Sequence, residues 1–180
     1  YTLRITPYSD MYLSVAYGNS TPQAVRAKGG EEYIFTTSLT TMDDTQILIY
    51  CAENIQALND LSACYIRANN FAYATRLKTL IIGSNVTGYA NPFITTLSLK
   101  DNTLLETLDI RNCPNLTGTL NFSGCPNLLT LLAEGTSVTG VSFATNGKIQ
   151  TAHLPAAISS LTLNNLSYLS DLSLESYNNL

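Results

Sequence analysis

His153 is the only histidine of the chain and the first residue to test for chemistry. When the Leu-containing words of the sequence are aligned, Ser173 falls beside it and Asp171 and Glu175 fall diagonal to it, which supplies a serine, an imidazole and an acid. Residue types alone do not make a hydrolytic triad: the base needs an orienting acid, the serine needs an oxyanion hole, and a flat ladder of strands has a pocket for neither. Asp109 and Glu134 similarly mimic the paired carboxylates of a glycosidase. Arg111 shares their ladder, however, and an ion-pair network is the commoner use of such a trio. No catalytic residue is assigned, and the chain is not expected to be an enzyme.

The four cysteines, Cys51, Cys64, Cys113 and Cys125, include no CxxC knuckle or redox pair, so neither metal nor cofactor is expected. Cys113 and Cys125 both open the word Cys-Pro-Asn-Leu, which reads as repeat grammar and predicts free, buried thiols. Asn-x-Ser/Thr sequons occur at Asn19, Asn85, Asn115, Asn121 and Asn165, about as many as so much Asn, Ser and Thr produces by chance. Lys28, Gly29 and Gly30 are better read as a hairpin turn than as a phosphate cradle.

The elements that must carry these residues are β-strands joined by tight corners. Of 180 residues 56 are Thr, Ser or Asn and 27 are Leu, so Leu builds the inside and uncharged polar residues build the outside. Thr favours strands and Asn and Ser favour turns, so little helix is expected. Nine Lys and Arg against thirteen Asp and Glu give a net charge of −4 with 12% charged residues, which excludes a phosphate-neutralising patch and makes nucleic acid an unexpected partner. No apolar run reaches the roughly 20 residues a spanning helix needs, and membrane insertion is not expected.

One pattern, L-x-x-L-x-L-x-x-N/C, recurs ten times from Leu61 onward. It includes Leu77-x-x-Leu80-x-Ile82-x-x-Asn85, Ile94-x-x-Leu97-x-Leu99-x-x-Asn102 and Leu105-x-x-Leu108-x-Ile110-x-x-Cys113, with further copies built on Leu131, Val141, Ala152, Leu161 and Leu172. The pattern resembles leucine-rich repeats over about two-thirds of the chain. From Leu105 the words start about every 11 residues, half the usual coil. Two words per coil resolve the difference. The expected fold is mainly β, a leucine-rich-repeat-like flattened β-solenoid with strands on both faces and a coil of about 21–23 residues. Alternating Leu and Ile point inward and stack on their equivalents, Asn or Cys turns the corners, and residues 88–92 lengthen one coil into a protruding loop.

Residues 1–54 read differently. Short β-rich runs at 2–6, 11–17, 32–39 and 46–51, separated by Gly-, Asn- and Asp-rich turns, predict a small antiparallel β cap or sandwich-like unit before a solenoid over residues 55–180. The first residue is Tyr1, and the last five contain a corner and one more Leu, so a fragment of a longer chain is expected. Further repeats or a neighbouring subunit would then cover the C-terminal coil.

Outward residues sort into two ladders, and one of them holds most of the charge. Asp109, Arg111, Leu132, Glu134, His153, Ser173 and Glu175 on that ladder form the candidate binding face. Residues 104–118, Leu-Leu-Glu-Thr-Leu-Asp-Ile-Arg-Asn-Cys-Pro-Asn-Leu-Thr-Gly, and residues 58–64, Leu-Asn-Asp-Leu-Ser-Ala-Cys, resemble leucine-rich-repeat regions of long structural proteins from bacteriophages of gut bacteria. That resemblance implies a virion component, in the tail or at the capsid surface. It also implies other virion proteins or a host-surface receptor as partners. The alternative is a bacterial cell-surface, extracellular leucine-rich-repeat adhesin or ligand-binding protein, and an enzyme on a solenoid, such as a polysaccharide-degrading tail protein, comes third.

Overall fold

Alternating apolar and polar residues in runs of three to seven make strands that bury one face, and the Asn, Gly and Pro between them make corners. The computed structural model describes residues 2–17, 23–36, 47–49, 54–60, 71–72, 74–83 and 90–175. The described residues contain no α-helix. The N-terminal strands are β1 (Thr2–Pro7), β2 (Met11–Tyr17), β3 (Gln23–Ala27), β4 (Tyr33–Thr36), β5 (Ile47–Ile49) and β6 (Ile55–Asp60). β2 is flanked antiparallel by β3 and β5, and β1 is flanked antiparallel by β4 and β6. Leu3 and Ile5 of β1 are fully buried, with Ala27 and Phe35 beside them in the same core.

The solenoid follows in parallel. One side of each coil supplies β7 (Thr79–Ile81), β8 (Thr107–Asp109), β10 (Thr130–Leu132), β12 (Thr151–Leu154) and β14 (Asp171–Leu174). The other side supplies β9 (Thr117–Phe122), β11 (Ser137–Phe143) and β13 (Ser160–Thr162). β6 pairs antiparallel with β1 and parallel with β7, so the N-terminal strands and the coils share one eight-stranded sheet in the order β14-β12-β10-β8-β7-β6-β1-β4. Five successive parallel pairings run from β6 to β14. Thr107, Thr130, Thr151 and Asp171 are register equivalents, and between each and the next the chain passes through two repeat words, so the two-words-per-coil reading holds.

Packing follows from that register. Leu80, Leu108, Leu131 and Ala152 are stacked partners and fully buried, as are Ile82, Ile110, Ala133 and Leu154 one step along. Each large side chain so buried contributes about 1.5 to 3 kcal/mol before the entropy of ordering is charged against it. On the other side Phe122 and Phe143 stack with ring centroids 5.9 Å apart. Leu172 belongs to the same stack by register and was expected to be buried, yet it is 43% exposed, because β14 is the last described strand and only β12 covers it.

Corners use a repeated local device. In each Cys-Pro-Asn-Leu word the Leu N–H donates to the Cys carbonyl, Leu116 to Cys113 at 3.0 Å and Leu128 to Cys125 at 3.2 Å, with Pro at the position whose fixed φ suits a turn. The Asn of each word donates back to the preceding coil, Asn115 Nδ2 to the Pro92 carbonyl at 2.7 Å and Asn127 Nδ2 to the Thr103 carbonyl at 2.8 Å. Ser137, Thr139, Ser159 and Ser170 hydroxyls likewise donate to carbonyls one coil earlier, those of Pro114, Gly118, Thr139 and Gln150. The richness in Ser, Thr and Asn therefore has a coil-to-coil purpose. Gly83 faces the Arg111 backbone so closely that a Cβ would collide with it, and Gly135 takes φ +71 at the corner after β10.

Two corner types are inward-facing. Asn102 is fully buried and its Nδ2 donates to the carbonyls of Phe71 at 3.1 Å and Ala74 at 2.8 Å. Cys125 takes the next coil's version of that place, with Sγ 3.4 Å from the Leu99 carbonyl oxygen. Cys113 and Cys125 are buried free thiols at the corners after β8 and β9, and burial, helped by Asp101, pushes the Cys125 thiol up to about 11. Cys51, Cys64 and the repeat word at residues 61–69 lie outside the described residues. Since the thiolate is the reactive form, both described thiols should resist labelling by a maleimide under native conditions and react within minutes in denaturant. Fast native labelling of Cys125, read by intact mass, contradicts the buried corner.

The segment 88–92 differs from the expected protrusion. Gly88 and Tyr89 lie outside the described residues, and Asn91 is buried. Its N–H donates to the Asn112 carbonyl at 2.8 Å, its Nδ2 to the Ile82 carbonyl at 3.3 Å, and its Oδ1 accepts from the Phe93 N–H at 3.1 Å. A lengthened coil leaves extra backbone groups to satisfy, and the Asn91 amide satisfies two of them.

Candidate functional site

Outward positions on β8, β10, β12 and β14 lie above one another because the register is unbroken: Asp109, Leu132, His153 and Ser173 form one row, and Thr107, Thr130, Thr151 and Asp171 another. Parallel strands about 4.8 Å apart bring a side chain on one coil within reach of the next, directly or diagonally. Charged residues placed there must therefore find each other or repel.

They find each other. Arg111 grips Asp109 through two side-chain bonds, Nε to Oδ1 at 3.0 Å and Nη2 to Oδ2 at 2.6 Å, and its N–H donates to the same Oδ1 at 3.1 Å. Asp109, expected outward, is only 6% exposed because the guanidinium lies over it. The bond to Asp109 raises Arg111 above its ordinary range, against a smaller lowering by burial and with further help from the Asp109 and Glu134 charges.

His153 stands between two carboxylates. Its Nδ1 is 3.0 Å from Glu134 Oε1 on the preceding coil and its Nε2 is 3.0 Å from Asp171 Oδ2 on the next. Both contacts call for N–H donors, so the ring is the doubly protonated imidazolium. The hydrogen bond to Asp171 is the largest influence and raises the His153 pKa; burial lowers it by less, and the bond to Glu134 and both carboxylate charges raise it further. Glu175 reaches across two coils to accept from the Gly135 N–H at 2.9 Å. Pro155, the residue between them in the stack, was expected outward but is buried, and having no N–H it offers Glu175 nothing nearer.

Six charged residues thus alternate in sign across four coils: Asp109 and Arg111, Glu134, His153, then Asp171 and Glu175. Of the candidate face, the structure joins Asp109 to Arg111 and Glu134 to His153, sets Leu132 in register between Asp109 and His153, and leaves Ser173 beside His153. Asp171 is the member the candidate set lacked; its diagonal position in the alignment was the available signal. With both ring nitrogens engaged by carboxylates, His153 has no free lone pair to take a proton from Ser173. Among the described residues no three His, Cys, Asp or Glu are grouped to hold a metal ion.

The His153 pKa is raised on folding, so the bridge adds stability that is complete below the ordinary histidine value near 6.5 and fades as pH rises through the higher folded value. His153→Gln should cost about 1 to 2 kcal/mol at pH 5.5 and clearly less at pH 9. Urea midpoints at the two pH values measure this, and an equal loss at both would mean that the ring is not charged.

Stacked parallel strands, two broad sides and cross-coil side-chain bonds define the chain as a β-solenoid. No protein-family model matches the chain, and no curated protein or solved structure matches it either.

Proposed function

We propose that this β-solenoid is a non-enzymatic structural or interaction module of a phage particle, associated with the virion or its tail. The observation that supports the non-enzymatic part is the charged ladder itself. Its cations and anions are matched coil to coil, Arg111 on Asp109 and His153 on Glu134 and Asp171, so the side chains that could act as acids or bases act as cross-ties. Cross-ties spanning four coils resist shear between them, and cooperative stacking of this kind suits an elongated spacer or a display surface. The phage setting rests on the resemblance of residues 58–64 and 104–118 to repeat regions of phage structural proteins.

The experiment is immunogold electron microscopy of the source material with an antibody to this chain. Label on tails or capsids is the expected result. Label confined to bacterial surfaces would replace the phage reading with the adhesin one, and release of sugars from capsular polysaccharide by the purified chain would overturn the non-enzymatic reading.

A further inference from the structure

The described end of the solenoid presents β14 as an edge strand, with Leu172 and Leu174 43% and 55% exposed and Leu163 and Tyr168 exposed beside them. Upstream, each inward Leu of this row is covered by the next coil's strand, added parallel and in register five times over. Here that interface continues to an open rung. Its outward side is acidic: Asp171 and Glu175 flank Ser173, and only His153, on the coil behind, offsets them. Along the stack, Glu134 is followed by His153 and His153 by Asp171, so the next position calls for a cation.

We propose that β14 is a docking edge for a β-strand of a partner protein, added parallel to it. The partner strand would place apolar side chains on Leu172 and Leu174 and Lys or Arg beside Asp171 and Glu175. Edge addition of this kind takes affinity from main-chain hydrogen bonds and specificity from alternate side chains. A second copy fits less well. Two-fold antiparallel pairing that matches Leu172 with Leu174 of the other copy sets Asp171 against Glu175 of that copy. Head-to-tail pairing onto β4, the other edge of the same sheet, brings up Glu31 and Glu32. Both arrangements oppose acid to acid, which disfavours the pairing.

The proposal rests on the interaction-module reading but not on its phage setting, so absence of label from particles leaves it standing. The test uses the whole chain and two fluorescein-labelled peptides of about seven residues, one alternating Lys and Leu and the other Glu and Leu. Fluorescence anisotropy should show the Lys/Leu peptide binding at least about tenfold more tightly, with new hydrogen-exchange protection at residues 171–174. Ser173→Lys, on the exposed face and outside the core, should weaken that binding about tenfold, and Ser173→Glu should strengthen it. Equal binding of the two peptides, no binding, or binding indifferent to residue 173 would overturn the proposal. So would amides 171–174 already protected in the chain alone, whether by self-association or by the chain's own residues.

Discussion

Leu131→Asp should leave the chain unfolded at neutral pH, while Leu132→Asp, one residue along, should leave it folded. Leu131 has no exposed surface and lies in register between the buried Leu108 and Ala152. A carboxylate there loses the Leu packing, at about 2 to 5 kcal/mol, and adds the desolvation of an unpaired charge, which is costlier still. The sum is comparable to the whole stability of a domain, about 5 to 15 kcal/mol. Leu132 points outward between Asp109 and His153. An acid at that place meets repulsion from one neighbour and attraction from the other, so its net effect should stay within about 1 kcal/mol. Circular dichroism and urea titration of both variants decide the matter, and equal damage would mean that the strand phase is wrong.

Asn102→Asp should destabilise more than Asn102→Ala, although Asp has nearly the shape of Asn. The buried amide of Asn102 donates to two carbonyls, those of Phe71 and Ala74. Alanine removes both bonds and leaves a small void, at a cost of about 2 to 3 kcal/mol, since each carbonyl keeps the backbone N–H of its own turn, from Ala74 and Leu77. Aspartate instead aims a carboxylate at two oxygens that can only accept, with no water to relieve it, and should cost about 4 kcal/mol or more at pH 7. Such a carboxyl would have its pKa raised, so Asn102→Asp should recover part of the loss towards pH 5, where the protonated acid can donate one bond. Urea midpoints of the three proteins at pH 7 and pH 5 measure this; an Asp variant milder than the Ala variant would show that the Asn102 amide is not the donor.

Much of the solenoid was legible because its rules are local. The alternation around Leu108, Leu131 and Ala152 sets which side chains face in, and Cys-Pro-Asn-Leu sets where the chain turns; both act within a short stretch of chain. The N-terminal part was less legible. β3, Gln23–Ala27, escaped notice because Gln and Arg interrupt its apolar positions, and only pairing with β2 makes it a strand. β6 carries no local mark of its two roles, antiparallel to β1 and parallel to β7, since one partner opens the chain at Thr2–Pro7 and the other, Thr79–Ile81, comes a full coil later.

The candidate face shows the same division. Its rows could be written down from the repeat period, and the structure reproduces them, because a parallel stack with unbroken register carries position along the word directly into position in space. What the side chains do within those rows was decided in three dimensions. Asp109 and Ser173 occupy the same place in their words, yet Arg111 buries one and nothing described covers the other. Leu131 and Leu172 are likewise equivalent in sequence, one sealed between two coils and one open on its far side. Repeat spacing determined where every residue of the ladder stands; only the coils on either side, each a full turn of chain away, decided its burial, its partner and its charge.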